Sequence, residues 1–375
     1  MRLLRILLFA CLLAVVSLTT AAAKPNFRRL DALMTRAIND GVFPGASLAV
    51  IYKGKTVFHQ AFGNLTYNLK DPVAETTTIY DAASLTKPIV TTSIAMQLVE
   101  RDSLDLHAPV AKYLPNFACN GKKAITIEQL MRHNSGLRAH TFFAETCRTP
   151  GEVFQAIEQD SLAYKPKAKT KYSDLGFILL GRIIEKVTGQ SLPANFHARF
   201  SEPLGMKSTM FNPPRQLQPY IAPTAPDTSW TLRRQRPLVN DQNAALLGGA
   251  AGHAGLFTTT GDLTKMVEML MNGGKYNGQH FIKAKTVRAF LKKKDAPRAL
   301  GWDIITPGKS SAGSRFSEKS WGHLGYTGTS IWVDPKRDLA VILLSNRVWP
   351  TEENKKIRKF RPVLHDTVVE CIEGK

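Results

Sequence analysis

Ser84-Leu85-Thr86-Lys87 is the sole S-x-x-K in this 375-residue chain. On a helix, positions three apart share a face, so the Lys87 amine stands one turn from the Ser84 hydroxyl and can act on its proton. Alone, the tetrapeptide is better explained by an N-cap serine followed by a solvated lysine. What stands elsewhere in the chain changes that reading.

Downstream lie Tyr172-Ser173-Asp174 and His323-Leu324-Gly325, widely spaced and in that order. Phrases without chemistry of their own accompany them: Pro44 to Val50, Leu130 to Leu137, Pro203 to Met206, Ala251 to Phe257 and Trp332 to Pro335. Together they resemble the β-lactamase and penicillin-binding protein superfamily, in particular class C β-lactamases, D-alanyl-D-alanine carboxypeptidases and their esterase relatives. The resemblance runs over nearly the whole chain beyond the leader. It implies an acyl-enzyme on Ser84, with peptidoglycan-derived D-alanyl peptides or β-lactam-like acyl amides as substrates. An ester substrate is the alternative, and a weakly catalytic penicillin- or cell-wall-binding protein is a third reading.

The same resemblance implies roles. A serine hydroxyl is a poor nucleophile until a base takes its proton. Lys87 can serve if burial and nearby positive charge lower its pKa, and Tyr172 is the rival base; the choice stays open. The oxyanion donors would be the backbone amides of Ser84 and Tyr326, with Gly325 letting substrate approach a strand edge. Tyr326-Thr327-Gly328 offers a competing register, and the His323 frame is preferred. Two positions depart from the family pattern. Asp174 replaces an asparagine amide and His323 replaces a lysine, so both substrate-binding positions are altered and efficient β-lactam handling is not expected. An unperturbed histidine at 323 would titrate near pH ~6.5.

The residues alone imply an α+β fold. Phe27, Leu30, Met34 and Ile38 repeat at helical spacing, and apolar runs at 46–51 and 56–62 flank Lys53-Gly54 as a hairpin. Capping boxes at Thr126/Gln129 and Thr149/Glu152 open helices, and others are expected over 175–187 and 262–271. Strand-like runs return at 330–333 and 339–345, before a last helix from about Glu352 to Ile372, interrupted at Pro362. Strands at both ends around a helical middle predict an antiparallel sheet flanked by terminal helices, with a mostly helical subdomain inserted. The expected division is residues 24–83 and 295–375 for the sheet part and 84–294 for the helical part.

Residues 1–23, with Arg2, Arg5, an apolar run and Ala21-Ala22-Ala23, read as a signal peptide, with a lipoprotein processed at Cys11 as a minor alternative. Export to a periplasm is expected, without a transmembrane anchor. The formal charge of +20 falls to +18 when Arg2 and Arg5 leave, which favours an anionic wall or membrane surface; no nucleic-acid module is present. Of Cys119, Cys147 and Cys371, the first two lie in polar, loop-like surroundings and could pair, or all three could be free. No C-x-x-C or H-E-x-x-H exists, so neither metal nor cofactor is called for. Lys165, Lys167, Lys169 and Lys171 would project on one side of an extended segment, as a protective edge or as an attractor for a substrate carboxylate.

Overall fold

A computed structural model describes residues 25–226, 239–292, 298–306, 308 and 310–374. The predicted signal peptide lies outside them. Six antiparallel strands form the main sheet: β1 (Gly45–Tyr52), β2 (Lys55–Gly63), β3 (Asp303–Ile304), β4 (Trp321–Leu324), β5 (Ser330–Asp334) and β6 (Leu339–Ser345). Their spatial order is β2-β1-β6-β5-β4-β3. The hairpin expected around Lys53-Gly54 joins β1 to β2, and a register shift at Val50/Ile51 marks a bulge.

Alternation along β6 builds two cores at once. Leu339, Val341 and Leu343 point to one layer, where they meet Leu30 and Met34 of the Arg28–Asn39 helix and Leu364 and Val368 of the Ile357–Glu373 helix. Ala340, Ile342 and Leu344 point the other way, onto Leu263, Met266 and Val267 of the Thr260–Met271 helix and the helical region beyond. With both faces covered, the strand reads as an unbroken apolar run even though it is antiparallel. Each fully buried aliphatic side chain in these two interfaces contributes roughly 1.5–3 kcal/mol.

Both expected capping boxes are present, at Thr126/Gln129 and Thr149/Glu152. The terminal helix differs from expectation. It begins at Ile357, and Pro362 sits inside it without ending it. Ile357, Phe360, Leu364 and Val368 bury one continuous stripe against the sheet, and that packing outweighs the ladder bond that proline removes. The lysine run also departs from an extended segment: Lys167 takes φ +67, so the four exposed lysines wrap a turn rather than line one edge.

Cys119, Cys147 and Cys371 are free, which corrects the alternative of a Cys119–Cys147 bridge. The Cys119 thiol donates to the Glu158 carbonyl at the end of the Pro150–Gln159 helix, whereas Cys147 precedes that helix's start. Eight residues of rise separate those ends by on the order of 12 Å, and a disulfide needs Cα atoms within about 7 Å. Titration with a thiol reagent should therefore find one fast-reacting group, the exposed Cys119, and release Cys147 and Cys371 only on unfolding. Peptide mapping that recovers Cys119 linked to Cys147 would refute this.

Candidate active site

Ser84 stands in a short 3-10 turn, Ala83–Leu85, that leads into a helical segment beginning at Lys87. Ala83 holds φ +47, an unusual backbone state for a side-chain-bearing residue, and its N–H donates to the buried Asp81 carboxylate at 2.7 Å. Asp81 also accepts the Asn240 N–H at 2.8 Å. Burial without a cation pushes its pKa up to about 6, with Asn240 and Ala83 opposing.

Lys87 is fully buried and spends its ammonium on three acceptors: Asp174 Oδ1 at 2.7 Å, Ser84 Oγ at 3.0 Å and the His253 carbonyl at 3.0 Å. The last contact depends on Gly252, whose backbone nests so closely on Gly181 and the Phe177 carbonyl that a Cβ would lie 2.1 Å from that oxygen. Burial pulls the Lys87 pKa down, but the neighbouring Asp174 carboxylate and Tyr172 phenol raise it further, and the net shift is upward. The expectation of a lysine depressed by nearby positive charge is thus corrected: its nearest charge is negative. The Asp174 carboxyl in turn is held well below the usual carboxylate range, because Lys87 and His140 outweigh its burial.

Tyr172 lies over Lys87, whose Nζ is 4.8 Å from the ring centroid. Burial pushes the phenol up to about 12, against the pull of Lys87. Ser84 and Lys87 are close enough to act on it electrostatically, yet its buried hydroxyl meets no partner with hydrogen-bond geometry.

The pleat decides where His323 points. It pairs across the strands with Ile331, and cross-strand partners share a face, here the face bearing Ile342 and the helical layer. Its ring centroid lies 6.0 Å from that of Tyr172. Burial lowers its pKa to about 4, with Asp303 opposing, so near neutrality it is an uncharged imidazole. Paired to the Leu324 carbonyl through Nδ1 at 2.8 Å, it leaves Nε2 as a buried, unpartnered acceptor. The expectation of a charge titrating near pH 6.5 fails for this reason. Tyr326, from the competing register, is half-exposed and donates its hydroxyl to Glu352 at 3.0 Å.

Gly325 has an intramolecular reason to be glycine, beside the expected approach of substrate. A Cβ there would lie 1.9 Å from Thr329 Oγ1 and 2.6 Å from the Ala82 carbonyl, so the protein's own atoms leave room for glycine alone. Thr327 donates to the Asp81 carbonyl at 2.7 Å and Thr329 to the Ala82 carbonyl at 3.0 Å, tying this turn to the segment that carries Ser84.

His133 and His253 stand in the phrases Leu130 to Leu137 and Ala251 to Phe257, and the structure gives both a place in the site. His133 accepts the Ser173 N–H through Nδ1 at 3.0 Å and stacks 4.7 Å from Tyr172. Burial, with Arg298 and Lys87 nearby, keeps it uncharged. His253 bonds Asp241 through Nε2 at 2.9 Å while its carbonyl holds Lys87. Arg298, 5.2 Å above the Tyr172 ring and paired with Asp303, carries no sequence signal at all. Only their place inside the phrases Leu130 to Leu137 and Ala251 to Phe257 could have marked the two histidines. Among the described residues no three potential ligands cluster as a metal site, and no helix is long and apolar enough to cross a membrane.

Residues 30–363 match the Beta-lactamase family model. A protein of Escherichia coli (strain K12) named "Putative D-alanyl-D-alanine carboxypeptidase" is 30% identical over 403 residues, covering 92% of this chain and 91% of the relative. A Salmonella gallinarum protein of the same name is 31% identical, over 88% and 85%. Two solved structures share the fold. A penicillin-binding protein homologue from Caulobacter crescentus superposes with TM-score 0.73 at 19% identity, over 92% of this chain and 97% of that one. A family VIII carboxylesterase superposes with TM-score 0.71 at 20% identity, over 93% and 98%. By the extent of the family match and of its nearly full-length relatives, this chain belongs to the beta-lactamase family of serine hydrolases.

Proposed function

We propose that this protein is an exported hydrolase that forms an acyl-enzyme on Ser84 and acts on D-alanyl peptides or similar acyl amides. The observation that carries this reading is the Ser84 Oγ to Lys87 Nζ contact of 3.0 Å beside Tyr172. Full-length relatives named for D-alanyl-D-alanine carboxypeptidase activity support the choice of substrate.

In this mechanism Ser84 Oγ attacks the acyl carbon, and the oxyanion forms against the Ser84 and Tyr326 N–H groups. Each such donor is worth about 10²–10³ in rate. The resting pair is a Lys87 ammonium and a Tyr172 phenol, so loss of one proton creates the base; that titration belongs to the pair rather than to either residue. Collapse returns the proton to the leaving group, and water repeats the attack on the acyl-enzyme.

One observation favours the ester alternative. His323 is uncharged and Asp174 carries a negative charge, so neither residue attracts the carboxylate that a D-alanyl peptide or a β-lactam presents. Purified protein should be tested with an acyl-D-Ala-D-Ala peptide, penicillin and a p-nitrophenyl ester, following intact mass and D-alanine release. Release of D-alanine with turnover supports the peptidase; ester turnover without it selects the esterase. A stable mass adduct without turnover would make the protein a binder.

A further inference from the structure

The turn Gly325–Thr329 is held from behind by a buried cation. Arg361, on the Ile357–Glu373 helix and 5% exposed, donates from Nη2 to the Gly325 carbonyl at 3.0 Å and to the Thr329 carbonyl at 2.7 Å. It pairs with no carboxylate among the described residues, and Nε is buried without a partner. Burial, with Arg347 and Arg358 adding to it, lowers its pKa to about 9, so it remains charged at neutral pH. A buried cation without an anion opposes folding. Stability therefore does not explain why the site contains one.

The Gly325 carbonyl belongs to the same peptide as the Tyr326 N–H, and in a trans peptide these two groups point in opposite directions. Arg361 comes from the terminal helix, whose Phe360 and Leu364 pack in one core, whereas Ala82 and Leu85, on either side of Ser84, pack in the other. Glycine at 325 makes rotation of this peptide cheap. Within the turn the Gly325 N–H donates to the Thr329 carbonyl at 2.8 Å, whereas the Gly325 carbonyl receives a long backbone bond, from the Gly328 N–H at 3.2 Å. Arg347 adds a bond to the next carbonyl, that of Tyr326, at 2.8 Å. The Ser84 side has a matching arrangement: Thr86 Oγ1 donates to the Ala83 carbonyl at 2.7 Å, which fixes the peptide carrying the Ser84 N–H.

We propose that Arg361 is a positioning residue for catalysis, holding the 325–326 peptide so that the Tyr326 N–H faces Ser84 as an oxyanion donor. The proposal rests on the acyl-enzyme reading above. It assigns a role in the reaction to a side chain on the far side of the sheet, which touches neither substrate nor Ser84. A charge-assisted bond to a carbonyl is stronger than a neutral one and suits this task.

The test compares wild type with Arg361→Met and Arg361→Lys for ester turnover, for inhibition by a boronic acid that forms a tetrahedral adduct on serine, and for near-ultraviolet circular dichroism. Arg361→Met should stay folded, lose up to about 10²-fold in kcat with KM little changed, and lose boronate affinity in parallel with kcat/KM. Arg361→Lys, which keeps a donor, should fall between the two, and it carries the test if the methionine variant does not fold. Unchanged kcat and boronate affinity in a folded variant would overturn the proposal, as would a loss confined to KM. If wild-type Ser84 takes no boronate or fluorophosphonate, the acyl-enzyme reading itself falls, and the two failures are thereby distinguished.

Discussion

Replacing Ser84 by alanine is expected to lower ester or peptide turnover by on the order of 10⁴–10⁶-fold and to abolish covalent labelling by a fluorophosphonate. The fold should survive, because Lys87 keeps its bonds to Asp174 and the His253 carbonyl when the serine oxygen is gone. Lys87→Ala should slow labelling by orders of magnitude and also destabilise the protein by about 3–5 kcal/mol, since it strands a carboxylate only 17% exposed. Labelling of Ser84→Ala at the wild-type rate would sink the assignment of the nucleophile.

Asp174→Asn should move the acid limb of the acylation pH profile downward by about one to three pH units. Asp174 raises the pKa of both Lys87 and Tyr172, so removing its charge makes the proton that must leave this pair easier to lose. Below the limb, acylation at a given pH should rise about tenfold for every pH unit by which the limb moves. His323 cannot produce a limb near neutrality, because burial keeps it uncharged down to about pH 4. The stability effect has the opposite sign. Asp174 is depressed, so its contribution is present above the ordinary carboxylate pKa and is lost as pH falls through its folded value. Lys87 is raised, so its contribution is complete below its ordinary pKa and is lost as pH climbs through the folded one. Asp174→Asn should therefore melt earlier than wild type across the neutral range. Single-turnover acylation across pH, with melting curves, checks both; an unmoved acid limb would show that Asp174 does not set the protonation of the pair.

The fold class, the strand runs at 330–333 and 339–345, the hairpin and the capped helices could be read from the residues, as could the company of Ser84, Lys87, Tyr172, Asp174 and His323. These were legible because periodicity and capping are local, and because motif order survives folding. Charge state was not legible. Lys87 and Asp174 are 87 residues apart, and only their 2.7 Å contact turns an expected lowered lysine into a raised one. His323 reads as a titrating cation until its cross-strand place opposite Ile331 buries it. Gly325 is marked in the sequence by its motif, but the intramolecular reason for glycine, the atoms of Ala82 and Thr329 that leave no room for a Cβ, is visible only in the packing. Arg361 stands in a basic cluster that resembles a solvated face, and the packing of the terminal helix on the sheet alone sends it to the Gly325 carbonyl. Cysteine pairing depends likewise on a helix lying between two thiols. Electrostatics and close approach depend on distance in space, which chain separation does not encode, and there the tertiary structure decided.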